Sequence, residues 1–253
     1  PATVWNYYGI GEERARSNRL NPQMFNSFID GTKSGIEMAA VANATGLSAP
    51  KAGLSFPAVG SGSLAKVLIP KDAGGMLEGR GMVEVVASEE RDGPTLPDHI
   101  RWGVYVTFDG ETDYVKECFS QYGLVTDATG RYSALWRQYH LIGLELGVSV
   151  ASAGLRNEPT GSPDGFRADV VATAKFDLKA GDELDGEGGY KVWGKLMPAA
   201  DSLRLGGLPI GLAHGVTLKR DIAQGEPVCW DDVTFDVDDT TVVFRREMER
   251  AFS

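Results

Sequence analysis

The chain has 253 residues, 42% of them hydrophobic and 24% charged, with a formal net charge of −10. That length holds one large or two ordinary domains, and the composition is that of a soluble globular protein. The acidic balance argues against nucleic acid or an anionic membrane as the main partner, because both need clustered Lys and Arg, but it leaves room for a local basic pocket that takes a small anionic substrate.

The first residue is Pro1, and the opening PATVWNYYG reads as the interior of a longer polypeptide. The stretch from Asn21 to Gly46 then reads as one long helix. Asn21 is suited to the N-cap, Pro22 to the first helical position and Gly46 to the stop, with Pro50 shortly after. At about 100° per residue, Phe25, Phe28, Ile29, Ile36, Ala39 and Ala40 share one sector, while Asp30, Lys33 and Glu37 stack nearer the opposite side. A solvated salt-bridge stripe accounts for three such charges. A functional face accounts for them equally well, because Gly31 and Gly35 lie beside them, and glycine lets a backbone or a ligand approach closely.

A Gly/Ser/Pro-rich loop follows around residues 48–62. Met82–Ala87, Trp102–Phe108 and Cys118–Thr126 read as strands, and Tyr132–Ala153 as partly helical, which suggests a sheet covered by the long helix. Within RYSALWRQYHLIGLE, Arg131, Arg137, Tyr139 and His140 gather cationic and hydrogen-bonding groups. Arg suits phosphate or carboxylate, and His suits proton transfer near neutral pH. Surface arginines beside a hydrogen-bonded core histidine are the plainer alternative.

The run NEPTGSPDGFRAD reads as a linker, and the texture beyond it is mostly β. Here AKFDLKAGDEL (174–184) is echoed by LKRDIAQGEPV (218–228) at an offset of 44. Lys175 aligns with Lys219, Asp177 with Asp221, Leu178 with Ile222, Gly181 with Gly225 and Leu184 with Val228. Two copies of a strand–turn–strand unit predict a small β module with an approximate two-fold axis, since a solenoid needs more repeats.

There is no dinucleotide fingerprint, P-loop or nucleophile elbow. His99, His140 and His214 are scattered, and Cys118 and Cys229 are isolated, so both thiols read as inert in a reducing compartment. No apolar run approaches membrane-spanning length and no secretory signal is visible, so the expected location is the cytoplasm.

Three blocks, FIDGTKSGIEMAAVANATGL, RYSALWRQYHLIGLELGVSV and the paired turns of the C-terminal region, resemble the homoserine-dehydrogenase-like oxidoreductases that carry a C-terminal SAF domain. The best-known type is the 1-deoxy-D-xylulose 5-phosphate reductoisomerase-like enzyme of some bacteria, and the similarity runs over essentially the whole chain. The resemblance implies an α+β fold: a catalytic and dimer-forming domain over 1–160, then a mostly-β SAF (β-clip) domain over 161–253. It implies NADPH or NADH as cofactor, held mainly by a Rossmann domain outside these residues, so that this portion alone turns over little. A divalent metal and a homo-oligomer of dimer or higher order are implied as well. By the same resemblance Asp30, Lys33, Glu37 and His140 are catalytic, and Gly31, Thr32, Arg137 and Tyr139 bind a small hydroxy or keto substrate that is phosphorylated or acidic. Gln138 stands where the family usually has Pro. The competing expectation is a non-catalytic SAF-type module for carbohydrate binding or assembly.

Overall fold

The computed structural model describes residues 2–253, and its first surprise is a helix that breaks. Short helices α1 (Ala2–Tyr7) and α2 (Glu12–Ser17) lead into α3 (Pro22–Ile29) and α4 (Thr32–Thr45). Asn21 caps α3 as expected, its side chain accepting from the Gln23 N–H at 3.0 Å, and Gly46 ends α4 at φ +78°. The single helix over 21–46 is corrected at Asp30-Gly31. Gly31 has φ +82°, a left-handed conformation that costs glycine little, and Asp30 turns its Oδ1 back to accept from the Thr32 N–H at 2.9 Å. Asp30 therefore lies off the face that carries Lys33 and Glu37.

The chain continues through α5 (Leu64–Val67), β1 (Val104–Asp109), α6 (Asp113–Gln121), β2 (Tyr132–Arg137) and α7 (Leu146–Ala151). It ends with β3 (Ala168–Ala174), β4 (Glu183–Asp185), β5 (Val192–Pro198), α8 (Ala199–Leu205), β6 (His214–Leu218), β7 (Val233–Thr234) and α9 (Thr240–Ala251). Mixed helices and small antiparallel sheets make this an α+β fold.

Contacts group the chain into two compact units, one of residues 1–54 with 163–253 (the terminal unit) and one of residues 55–162 (the central unit). The later boundary falls in the linker-like run read from the sequence. The earlier one assigns the first helices to the same unit as the C-terminal β segments, a grouping different from the division at 160.

In the terminal unit, α4 lies against the β3–β5 ribbon, so the helix does cover a sheet, but one built from the second half of the chain. Two glycines make that approach close. A Cβ on Gly35 would sit 3.3 Å from the Gly194 carbonyl oxygen, and one on Gly194 would meet Val170 Cγ1 at 2.6 Å and Thr32 Cγ2 at 3.0 Å. The close neighbour at Gly35 is thus a backbone. Every residue of β3 is buried, as expected of a strand covered on both faces.

The internal echo folds as a two-fold pair. Leu178 and Ile222, both buried, exchange N–H···O bonds of 2.8 and 3.1 Å. The carboxylate of Asp221 accepts from the Ala180 N–H at 2.9 Å, and that of Asp177 accepts from the Gln224 N–H at 2.9 Å. The Gly181 N–H reaches Leu218 O at 2.8 Å, and the Gly225 N–H reaches Ala174 O at 2.9 Å. Each bond maps onto its mate by the same 44-residue offset.

In the central unit, β1 and β2 form an antiparallel ribbon in which Val106 faces Leu135 and Val104 faces Arg137. Its other side sets Tyr105 and Ala134 against a core of Val59, Leu64, Leu68 and Ile100. Two sequence expectations are corrected here, and a third, the partly helical reading of Tyr132–Ala153, is borne out and given its bounds. Cys118–Thr126 is no strand: the Thr112 hydroxyl caps α6, accepting from the Val115 N–H at 3.3 Å, and the helix runs on to Gln121. Met82–Ala87 is extended, with an isolated Ala58–Ala87 bridge in place of a ladder. Tyr132–Ala153 begins as strand β2, whose β-branched and aromatic neighbours on β1 supply the pairing, and becomes helical only at Leu146. No described helix is long and apolar enough to cross a membrane.

Candidate functional site

Asp30 owes its position to the helix break. With Oδ1 committed to the Thr32 N–H, its Oδ2 pairs with Lys175 Nζ at 2.7 Å. The Lys175 ammonium also donates to Gly189 O at 2.6 Å. Lys175 sits where β3 runs into the first symmetric turn, and the Gly-rich run DGEGGY curls over it, anchored by Asn26 Nδ2 donating to Gly188 O and Gly189 O at 3.0 and 2.9 Å. Both members of the pair are largely, though not wholly, withdrawn from solvent. They border an open cleft of about 340 Å³ lined by Asp30, Ala174, Lys175, Trp193, Gln224 and Gly225.

The arrangement has chemical use. A lysine ammonium has three donors. Two are taken by Asp30 and Gly189 O, which leaves one to meet a ligand oxygen in the cleft. A cation next to a carboxylate at a cleft edge can polarise a carbonyl or return a proton to an alkoxide.

Thr32 is fully buried, and its hydroxyl accepts from the Gly194 N–H at 2.8 Å. Gly31 is buried beside it. These two residues of the DGTK motif fasten the helix start to β5 and so set the position of Asp30. Lys33 pairs with Glu37 at 3.5 Å on a partly exposed face of α4. The three charges read as one stripe therefore divide into two pairs, Asp30–Lys175 and Lys33–Glu37. Lys175 was missed as a functional residue; its signal was its place in the repeat, where Lys219 is the mate.

Arg137, Tyr139 and His140 belong to the central unit. Arg137, at the end of β2, pairs with Glu145 and lies over the Tyr139 ring with its guanidinium carbon 5.5 Å from the centroid. His140 is exposed, which corrects the core-histidine alternative. Its backbone N–H and its ring Nδ1 both reach Trp102 O at 2.9 Å. A carbonyl only accepts, so Nδ1 carries a proton in this contact and Nε2 is left without a partner in it. Trp102 itself has φ +69°, an outlier for an aromatic residue.

Among the described residues no group of three or more His, Cys, Asp or Glu is placed to hold a metal ion. Every named strand pair among the described residues is antiparallel. The Cys229 thiol is pushed up to about 11, by burial first and then by Asp232, so it stays protonated at neutral pH, in line with an inert thiol.

No curated protein matches the chain. The family described as oxidoreductase DRL, catalytic domain, matches residues 2–146, a span that contains the DGTK motif, both helices around it and the Arg137–His140 segment. The chain belongs to that oxidoreductase family.

Proposed function

We propose that this oxidoreductase chain supplies the substrate-binding part of an NAD(P)H-dependent enzyme acting on a small hydroxy or keto compound that carries a phosphate or acidic group. The reaction is reductoisomerase-like or dehydrogenase-like. The observation that carries the reading is the Asp30–Lys175 pair, drawn to a cleft edge by a glycine-dependent helix break inside the matched span. Reduction of a carbonyl needs a hydride on carbon and a proton on oxygen. Lys175 is placed to hold the oxygen and deliver the proton, and Asp30 to orient Lys175. Lys33 and Glu37 form the neighbouring charged pair on α4. In the central unit His140 presents Nε2 as a base, and Arg137 has guanidinium donors for an anionic group.

The hydride would come from a nicotinamide cofactor, whose main site the reading assigns to a domain outside these residues. The chain by itself therefore binds NADPH weakly. A divalent metal is part of the reading and would polarise the carbonyl and hydroxyl oxygens of the substrate. Self-association into a dimer or higher oligomer is part of the proposal. Its support is apolar side chains at the surface of the central unit, among them Val104, Val106 and Leu135 on one face of the β1–β2 ribbon.

The test is NADPH-dependent reduction of a panel of phosphorylated hydroxyketones by the enzyme containing this chain. Asp30→Asn and Lys175→Met should each lower kcat by about 10²- to 10⁴-fold, the usual worth of a general acid–base group, when assayed at a temperature where circular dichroism shows each variant fully folded. Unchanged kcat/KM in both variants would sink the assignment.

A second reading, a SAF-type carbohydrate-binding or assembly module, is favoured by the completeness of the two-fold turn pair over residues 174–228. It requires sugar binding without turnover, and binding that survives Asp30→Asn.

A further inference from the structure

The terminal unit has a second concavity, of about 330 Å³, lined by Lys51, Lys195, Met197, Asp201, Arg204 and Leu205. None of these residues lines the Asp30–Lys175 cleft. Its cations arrive from three separate pieces of the fold: Lys51 from a turn, Lys195 from β5 and Arg204 from α8. The turn is closed by the Gly53 N–H donating to Pro50 O at 3.1 Å. Gly53 has φ +89°, and a Cβ there would lie 3.3 Å from Lys195 Cε and equally near Leu196 O. The turn thus lies directly on the Lys195 stem and confines it.

Lys195 is only partly exposed, yet its ammonium has no hydrogen-bond or ion-pair partner among the described residues. Arg204 donates Nη2 to Asp201 at 2.6 Å and keeps the other edge of its fork for a ligand. Buried Met197, with Leu205, gives the cleft an apolar wall. Lys195 and Arg204 against the single carboxylate of Asp201 keep this cleft positive, in a chain whose formal charge is −10. A half-buried lysine with no counter-charge beside an arginine fork matches the geometry and charge of a tetrahedral dianion.

We propose that this cleft is a binding site for a phosphoryl dianion, either free phosphate or the phosphate of a small organic molecule, separate from the Asp30–Lys175 site. The proposal does not rest on the reading of that site as catalytic.

Isothermal titration of the chain with inorganic phosphate, glycerol phosphate and uncharged glycerol tests it. Saturable millimolar or tighter binding of a phosphate, with none of glycerol, is expected. Lys195→Met and Arg204→Met should each weaken binding by about tenfold or more, while Lys195→Arg retains it and Lys175→Met leaves it unchanged. Tighter binding of glycerol phosphate than of phosphate points to an organic ligand, and equal binding to the free ion. Absence of saturable binding, or affinity unmoved by Lys195→Met, overturns the proposal, whereas loss of binding in Lys175→Met moves the anion to the other cleft and overturns the separation. Thermal midpoints of all variants, measured alongside, confirm that each is folded.

Discussion

The two units spend their side chains differently. In the terminal unit charged groups are drawn inward and tied into chains: Asp30 to Lys175 and Gly189, and Asp169 to Ser202, Arg245 and, through Arg245, Glu249. In the central unit the stretch from the end of β2 into α7 sets apolar groups outward, as Ile142, Leu144 and Val148 do. Polar groups held away from water fix one geometry, because each is costly to leave unmatched. Apolar groups held in water fix nothing by themselves and gain only from being covered. The comparison teaches that these charged groups of the terminal unit are held in one geometry, while the apolar groups of the central unit gain only from a cover.

The sharpest way to break this comparison is Arg245→Met. Arg245 on α9 bridges Asp169 on β3 and Glu249, and all three side chains are largely buried. Removing it leaves two carboxylates without their shared cation, and loss of one partner from a buried pair costs about 3–5 kcal/mol. Urea unfolding should show that loss. A change within about 0.5 kcal/mol would mean that the pair is solvated and that the terminal unit is no more tightly tied than the central one.

The next effect is smaller and tests the two-fold symmetry. Gly181 and Gly225 have φ +89° and +79°, and a Cβ at either meets nothing within 4 Å. Substitution by Ala is therefore strained only through the backbone, at about 1–2 kcal/mol. The two variants should lose equal stability within about 0.5 kcal/mol, because their hydrogen-bond surroundings are mates. Clearly unequal losses would show that one turn carries the module and the other copies its outline.

That symmetry was legible because turn chemistry is local: an Asp that caps and a Gly that turns leave a mark at fixed spacing. The caps at Asn21 and Gly46 were legible for the same reason. The break at Asp30-Gly31 was not, since the apolar period runs through it and Asp-Gly is tolerated in either reading. What decides there is Lys175, 145 residues away, whose pairing no local pattern contains. The helix over Asp113–Gln121 was lost behind the strand reading of Cys118–Thr126, which is overruled by the Thr112 cap and by burial of Phe119 against Phe108. The oxidoreductase family was readable from the DGTK block. The division of its charges into two pairs was not.

Asp109 gives a weaker, pH-dependent contrast from the central unit. The carboxylate is held below its ordinary value of 3.8 by the hydrogen bond from Arg131 and by the nearby Arg131 and Arg80 charges. A depressed carboxylate adds stability that is fully present above its unfolded pKa and is lost as pH falls through the folded one. Wild type should therefore lose stability below about pH 3.8, and Asp109→Asn should flatten that acid limb while being less stable at pH 7. An acid limb identical in both proteins would show that the arginine fork is too exposed to matter.

The smallest expected change in stability carries the most information about the central unit. Ile142 is 79% exposed, in the segment between β2 and α7. An apolar side chain so exposed loses almost nothing when replaced, so Ile142→Ser should shift unfolding by no more than about 0.5 kcal/mol. Its effect should appear in mass measured by light scattering: wild type self-associates with rising concentration, and the variant dissociates at lower dilution. A stable, strictly monomeric wild type would remove the argument for self-association. A destabilised variant would instead show that Ile142 is packed in solution, and the outward-facing apolar side chains would have to be reread as part of a core.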